Sequence, residues 1–277
     1  MFYDVFRPAP VYGNTDFTHF YDLMETEHTR REITYFPESA WWLTFDIAVP
    51  LYLPITVEAR DRDLQGIRHM LSGGLVGHHV FGSGHEWGYW QNEYCSFRMA
   101  ADLDVRWQDC FRDLTGTFGD AGTETQSVLE DVVANQATFM FDARAIRWLV
   151  GSDEETEAAA LVGVSFHPLP PAPQEILHWT QTQIDDYRAV DEALLDRIDL
   201  DFDGYAYRLD QVRASVPADS LPFFDEIRDG VRMFSLRARH QKQVYGGVVR
   251  LRESRLAASQ ALHDEATQWI ADATITT

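Results

Sequence analysis

Lysine occurs once in these 277 residues, at Lys242, so the basic side of the chain is almost wholly arginine. Basic residues number 23 against 44 acidic ones, a formal charge of -21. A field of that sign repels phosphate backbones and anionic lipid heads, which argues against nucleic acid and membrane surfaces as partners. A neutral or cationic ligand meets no such barrier. Cysteine is nearly absent too. Cys95 and Cys110 stand alone, without C-x-x-C or zinc-finger spacing, and two thiols in a chain this long fit a reduced compartment. No uninterrupted apolar run approaches the roughly 20 residues of a membrane span. Met1-Phe2-Tyr3-Asp4-Val5-Phe6 carries no basic stretch ahead of an apolar one, so the expected location is the cytoplasm. Walker A, G-x-G-x-x-G, G-x-S-x-G and H-E-x-x-H motifs are all missing, and the chemistries they support lose their usual ground.

With 45% apolar and 13% aromatic residues, the chain can bury a sizeable core in one large domain or two unequal ones. Two portions read differently. From Met1 to about Gly84, strand-like pieces alternate with helix-like ones, as in α/β units. Strands are expected at 2–6, 32–36 and 76–81, and a helix at 16–30 through Phe17, Phe20, Tyr21 and Met24. Pro50 and Pro54 interrupt the apolar stretch after Trp41, so 41–68 reads as a loop leading into a broken helix. From His85 onward the periodicity is helical, and Trp87, Trp90, Tyr94, Phe97 and Ala101 fall on one helical face.

Further helices are expected at 103–114, 124–139, 143–150, 154–162, 175–198 and 205–215. In a long pattern from Pro222 to Ala273, Ile227, Val231, Phe234, Ala238, Tyr245 and Val248 form an apolar stripe. Gly246-Gly247 is a point at which that element bends or breaks. Pro168-Leu169-Pro170-Pro171-Ala172-Pro173 is a stiff, extended linker. The expected fold is therefore mainly α. An N-terminal α/β portion, 1–101, forms an incomplete barrel or a small parallel sheet, and a helical bundle domain, 102–277, follows it.

The sharpest local feature is Ser83-Gly84-His85-Glu86-Trp87-Gly88-Tyr89-Trp90-Gln91-Asn92-Glu93-Tyr94. A glycine-rich turn at a strand-to-helix junction is where α/β proteins present ligand-binding groups. Aromatic rings flanked by hydrogen-bonding side chains suit sugars, whose C–H faces lie on the ring while their hydroxyls reach amides and acids. Glu86 beside Trp87 is placed for desolvation and a raised pKa, as a general acid requires. A second carboxylate, Glu38, follows the strand at Tyr35 and precedes Trp41, Trp42 and Asp46. Two acids across a cleft are what glycoside hydrolysis needs. The plainer alternatives are that Trp87, Trp90 and Tyr94 form the buried stripe of a packed helix, and that Glu38 is a first-turn acid favoured by a helix dipole.

Two metal patterns are present. His78 or His79 with His85 and Glu86 has ligand types suited to zinc or iron, although adjacent histidines on a strand face opposite ways. Asp199-Leu200-Asp201-Phe202-Asp203-Gly204 reproduces the start of an EF-hand calcium loop, with Asp210 at its twelfth position in place of the usual glutamate and Ala206 at its eighth.

Taken together, Tyr-Phe-Pro-Glu-Ser at 35–39, Asp-Ile-Ala-Val-Pro-Leu at 46–51 and Gly-His-Glu-Trp-Gly-Tyr-Trp at 84–90 resemble the last strands of glycoside-hydrolase-like (β/α)8 barrels. The helical remainder, including Leu236-Arg237-Ala238-Arg239-His240, is similar to the helical C-terminal domain on barrels of the α-glucuronidase and α-N-acetylglucosaminidase type. A full barrel takes about 200 residues or more. The resemblance thus implies a fragment or subunit that completes a barrel.

The expected activity is carbohydrate-directed acid/base hydrolysis. Glu86 and Glu38 are the catalytic pair, and Trp41, Trp42, Asp46, His85, Trp87, Tyr89, Trp90 and Asn92 contact the sugar. Asp199, Asp201, Asp203 and Asp210 are candidate calcium ligands. The alternatives are a non-catalytic helical subunit or scaffold whose aromatic segment buries against a partner chain or a second copy, and a metal-dependent enzyme using the histidines and Glu86.

Overall fold

The computed structural model describes residues 18–35, 51–71, 75–79, 90–149 and 169–276. The strand expected at 2–6 and the helix expected at 154–162 lie outside them. The chain divides into two compact units, the first comprising 1–142 and 205–230, the second 143–204 and 231–277. The boundary expected near residue 101 falls inside the first unit, and the linker at 168–173 falls inside the second.

In the first unit the described elements are α1 (Thr18–Glu27), β1 (Ile33–Tyr35), α2 (Ile55–Leu71), β2 (Leu75–His78), α3 (Trp90–Ala101), α4 (Trp107–Thr115) and α5 (Gly122–Gln136). The fold is mainly helical, and the α/β portion expected over 1–101 is corrected accordingly. Among the described residues its only ladder is a parallel pair, with Ile33 opposite Leu75, Thr34 opposite Gly77 and Tyr35 opposite His78. A Cβ on Gly77 would lie 3.0 Å from the Thr34 Cγ2, so glycine lets the ladder close there. Strands this short give no barrel wall. Pro54 ends the loop, and the helix after it, α2, is continuous, which corrects the broken helix expected there.

α2 is the centre of this unit. Ile55, Val57, Ala59, Leu64 and Ile67 are buried, and so are Arg60, Asp61 and Asp63. Buried charges persist only when paired. Here the Tyr35 hydroxyl donates to Asp63, Arg60 donates to the Tyr35 hydroxyl at 2.9 Å, and Arg106 donates its Nε to both Asp61 oxygens at 3.0 and 2.9 Å. The irregular stretch Leu51-Tyr52-Leu53 is also buried, so its backbone needs partners from side chains. Gln136 donates to the Tyr52 carbonyl at 2.8 Å and accepts from the Ile55 amide at 3.2 Å, while Asn92 donates to the Leu53 carbonyl at 3.4 Å. A disulfide joins Cys95 of α3 to Cys110 of α4, both fully buried. That corrects the reading of the pair as two thiols.

In the second unit lie α6 (Ala143–Leu149), α7 (Pro173–Ile176) and α8 (Gln181–Asp186), with a π-helical stretch at Tyr187–Glu192. Thr180 caps α8 in a reciprocal box with Gln183. Two long helices, α9 (Ala193–Val212) and α10 (Leu221–Ala257), have residues in both units, and α11 (Gln260–Thr276) ends the described chain.

The stripe read from the sequence is the buried face of α10 through Ile227, Val231, Phe234, Ala238 and Tyr245, with Val249 in place of Val248 at its end. Gly246 and Gly247 do not break α10. A Cβ on Gly246 would lie 2.5 Å from the Trp269 ring, and one on Gly247 would lie 2.7 Å from Ile270, so the pair lets α11 lie close against it. The long pattern breaks instead at Ala258, whose φ of 48° turns the chain out of the helix. Around Trp148, Tyr187 and Tyr245 pack edge-on with centroids 5.4 and 4.8 Å away.

Candidate functional site

Most of the residues expected to touch a sugar lie outside the described residues: Glu38, Trp41, Trp42, Asp46, His85, Glu86, Trp87 and Tyr89. Trp90 and Asn92 are described, at the start of α3, and they point opposite ways. The buried residues of this helix are Gln91, Asn92, Cys95, Ser96 and Met99. Its aromatic stripe faces outward, with Trp90 half-buried, Tyr94 41% exposed and Phe97 54% exposed. Burial against the core, the plain expectation for Trp87, Trp90 and Tyr94, is not met at Tyr94 and is met in part at Trp90, while Trp87 lies outside the described residues.

The outward stripe has a cause in the loop beneath. A buried irregular segment with unpaired carbonyls demands donors from the helix above it, and Asn92 meets one such demand at Leu53. An amide face turned inward leaves the aromatic face on the surface. Asn92 is therefore buried as an interior strut, bonded to the Leu53 carbonyl. The disulfide anchors the same inward face through Cys95.

Trp90, Tyr94 and Phe97 are spaced i, i+4 and i+7, which sets them along about 10 Å of one side of the helix. Phe223 of α10, 52% exposed, meets Trp90 edge-on with centroids 5.3 Å apart, widening the patch. Three ions steady the turn that carries Phe223. Arg213 donates Nε and a terminal nitrogen to the two Asp225 oxygens at 2.7 Å each, and Arg228 lies 2.9 Å from Asp225. The Arg213 hydrogen bond is the main reason the Asp225 carboxyl is held below the usual carboxylate range, with Arg228 adding to it. Tyr35, which opens the motif leading to Glu38, is also a structural strut, bonded to Asp63 and Arg60 inside the unit.

The metal expectations fare differently. Asp199, Asp201, Asp203 and Asp210 lie on α9, a continuous helix, where a calcium loop would need to wrap its ion. Leu195, Ile198, Phe202, Ala206 and Leu209 are fully buried at steps of three and four, and that stripe overrides the weak helix propensity of aspartate and glycine. Asp199 accepts from Ser235 at 2.7 Å and from Arg239 at 3.0 and 2.9 Å. Its role is to hold α9 to α10. Among the described residues no group of three or more histidines, cysteines or acids could hold a metal ion. His79 is exposed, and the other two members of its candidate set, His85 and Glu86, lie outside the described residues.

A hollow that no motif announced lies in the second unit, lined by Arg144, Arg147, Trp148, Trp179, Gln183, Tyr187 and Asp191 among others. Its members come from three sequence segments, and none of them was singled out in the sequence as a site residue, because no local spacing joins them. Comparison with protein-family models, with curated proteins and with solved structures returns no match. The resemblance to glycoside hydrolase barrels therefore stands on its quoted motifs alone.

Proposed function

We propose that the protein is carbohydrate-active, with a sugar-contacting surface built on the outward face of α3 and continued by the segment that precedes it. The observation that carries this reading is the orientation of α3: it turns amides inward and displays Trp90, Tyr94 and Phe97 at the surface. Rigid, exposed aromatic faces are platforms for the C–H faces of sugars. Glu86 and Glu38 supply the general acid and its partner in this proposal, acting on a glycosidic bond. Trp41, Trp42, Asp46, His85, Trp87 and Tyr89 are the further sugar contacts of this proposal.

The test is affinity electrophoresis against a panel of soluble polysaccharides, coupled to a reducing-end assay. A Tyr94→Ala/Phe97→Ala double variant is expected to bind about tenfold or more weakly, a loss of about 1.4 kcal/mol. Glu86→Gln should abolish turnover with binding retained. No retardation of the wild type by any polysaccharide, or unchanged binding by the double variant, ends the proposal.

A second reading draws on the same surface. Phe97 and Phe223 are pure hydrocarbon and more than half exposed, as a face that seats a partner chain or second copy would be. Light scattering after size exclusion separates the two, since only this one requires an assembly that the double variant dissolves. We infer the compartment from the disulfide. A buried Cys95–Cys110 bond favours an oxidising environment over the cytoplasm expected from the sequence. No helix among the described residues is long and apolar enough to cross a membrane.

A further inference from the structure

The hollow in the second unit has a volume of about 410 Å³, within the lower range of small-molecule sites. Apart from Arg147, the charged groups of its wall are already paired. Arg144 of α6 donates Nε to Asp191 Oδ1 at 2.6 Å and a terminal nitrogen to Asp191 Oδ2 at 2.9 Å, and it reaches Asp186 at 2.5 Å. The Trp148 indole donates to the same Asp191 at 2.8 Å. Asp191 is buried, and these donors neutralise and fix it. The π-helical turn at Tyr187–Glu192 supplies both Tyr187 and Asp191 to this wall. Such turns interrupt the ordinary helical phase and recur at functional sites.

Arg147 differs from these neighbours. It lines the hollow, forms no ion pair and no hydrogen bond among the described residues, and its Nε is buried without a partner there. In this acid-rich chain other guanidiniums are claimed by carboxylates: Arg208 by Glu124 and Asp131, Arg213 by Asp225, Arg250 by Glu192 and Glu265. A half-buried, unclaimed guanidinium is an anion-binding group left open.

Beside it stands Trp179, half-buried, its backbone carbonyl fixed by the Arg252 Nε at 2.8 Å and its ring 6.0 Å from that of Tyr187. The Tyr187 hydroxyl is a second buried group without a partner. Burial, with Glu192 and Asp191 nearby, pushes its pKa up, so it remains a phenol able to donate. Both carboxylates of the wall already serve Arg144. What remains open to the hollow is one cation and aromatic surface.

We infer that this hollow binds a small aromatic carboxylate. The carboxylate pairs with Arg147 and the ring packs against Trp179. The site is separate from the α3 surface and stands whether or not the protein acts on carbohydrate.

Isothermal titration of the whole chain with 2-naphthoate and with its uncharged counterpart 2-naphthamide tests the inference. The wild type should bind naphthoate saturably and about tenfold or more tightly than naphthamide. Arg147→Gln should erase that preference, Arg147→Lys should keep part of it, and Trp179→Leu should weaken both probes alike, with far-UV circular dichroism unchanged. Equal wild-type affinity for the two probes, no saturable binding, or a preference that survives in Arg147→Gln would each overturn it. The wild-type comparison decides the matter even where a variant fails to fold.

Discussion

Two aromatic groups in this chain meet opposite fates. On α3, Trp90, Tyr94 and Phe97 look outward over a helix whose buried side is rich in amides and hydroxyls. In the second unit, Trp148, Tyr187 and Tyr245 are almost wholly buried, packed edge to face. Spacing identifies which residues share a helical face, but it does not say whether that face points in or out. The direction depends on what lies opposite. Under α3 is an irregular, buried loop whose carbonyls need donors, whereas Trp148 meets other rings and an aspartate that accepts its N–H.

The sharpest way to break the comparison is truncation on each side of it. Trp148→Ala empties a fully buried site and removes one donor from Asp191, with an expected loss of about 3–5 kcal/mol. Phe97→Ala takes away an exposed ring and should change stability by no more than about 0.5 kcal/mol. Chemical denaturation measures both, and similar losses would mean that the α3 aromatics belong to a core after all.

Next in size is the disulfide that ties down the inward face of α3. Cys95 and Cys110 are separated by 15 residues, and closing a loop of that length restricts the unfolded chain by about 3 kcal/mol. Reduction should lower the unfolding midpoint by a corresponding amount, read by denaturation with and without dithiothreitol. An unchanged midpoint would show that the inward amides hold α3 without it.

The smallest effect concerns the turn that carries Phe223. Because the folded Asp225 carboxyl titrates below its unfolded value of about 3.9, its pairing contributes stability above that pH. The contribution is lost as pH falls through the lower folded pKa. Asp225→Asn should therefore be less stable than the wild type at neutral pH and should converge with it in acid, below about pH 4. Parallel curves across the acid range would remove Asp225 as a support of that turn.

Much of the helical half was legible because long apolar stripes leave little choice. The α10 face from Ile227 to Tyr245 and the helix starts near residues 122 and 143 follow from periodicity and are found in the structure. The α/β expectation over 1–101 was less secure, because β1 and β2 are too short to outweigh the helices around them. At 199–204, a motif of aspartates and glycine suggested a loop, yet the buried residues interleaved with it made a helix. At 246–247, two glycines suggested a break but serve close helix packing. In each case the local signal was real, and burial against a distant partner decided between its two meanings.

From residue order alone came the acidic charge, the helical periodicity and the clustering of tryptophan with carboxylate, since these are properties of composition and short-range spacing. The three-dimensional arrangement decided which face of α3 is wet, that Cys95 and Cys110 meet, and that Arg147 stands unclaimed beside Trp179. Such outcomes depend on contacts between residues far apart in the chain, and the free energy of burying or pairing a group is set by those neighbours and not by the group's own type.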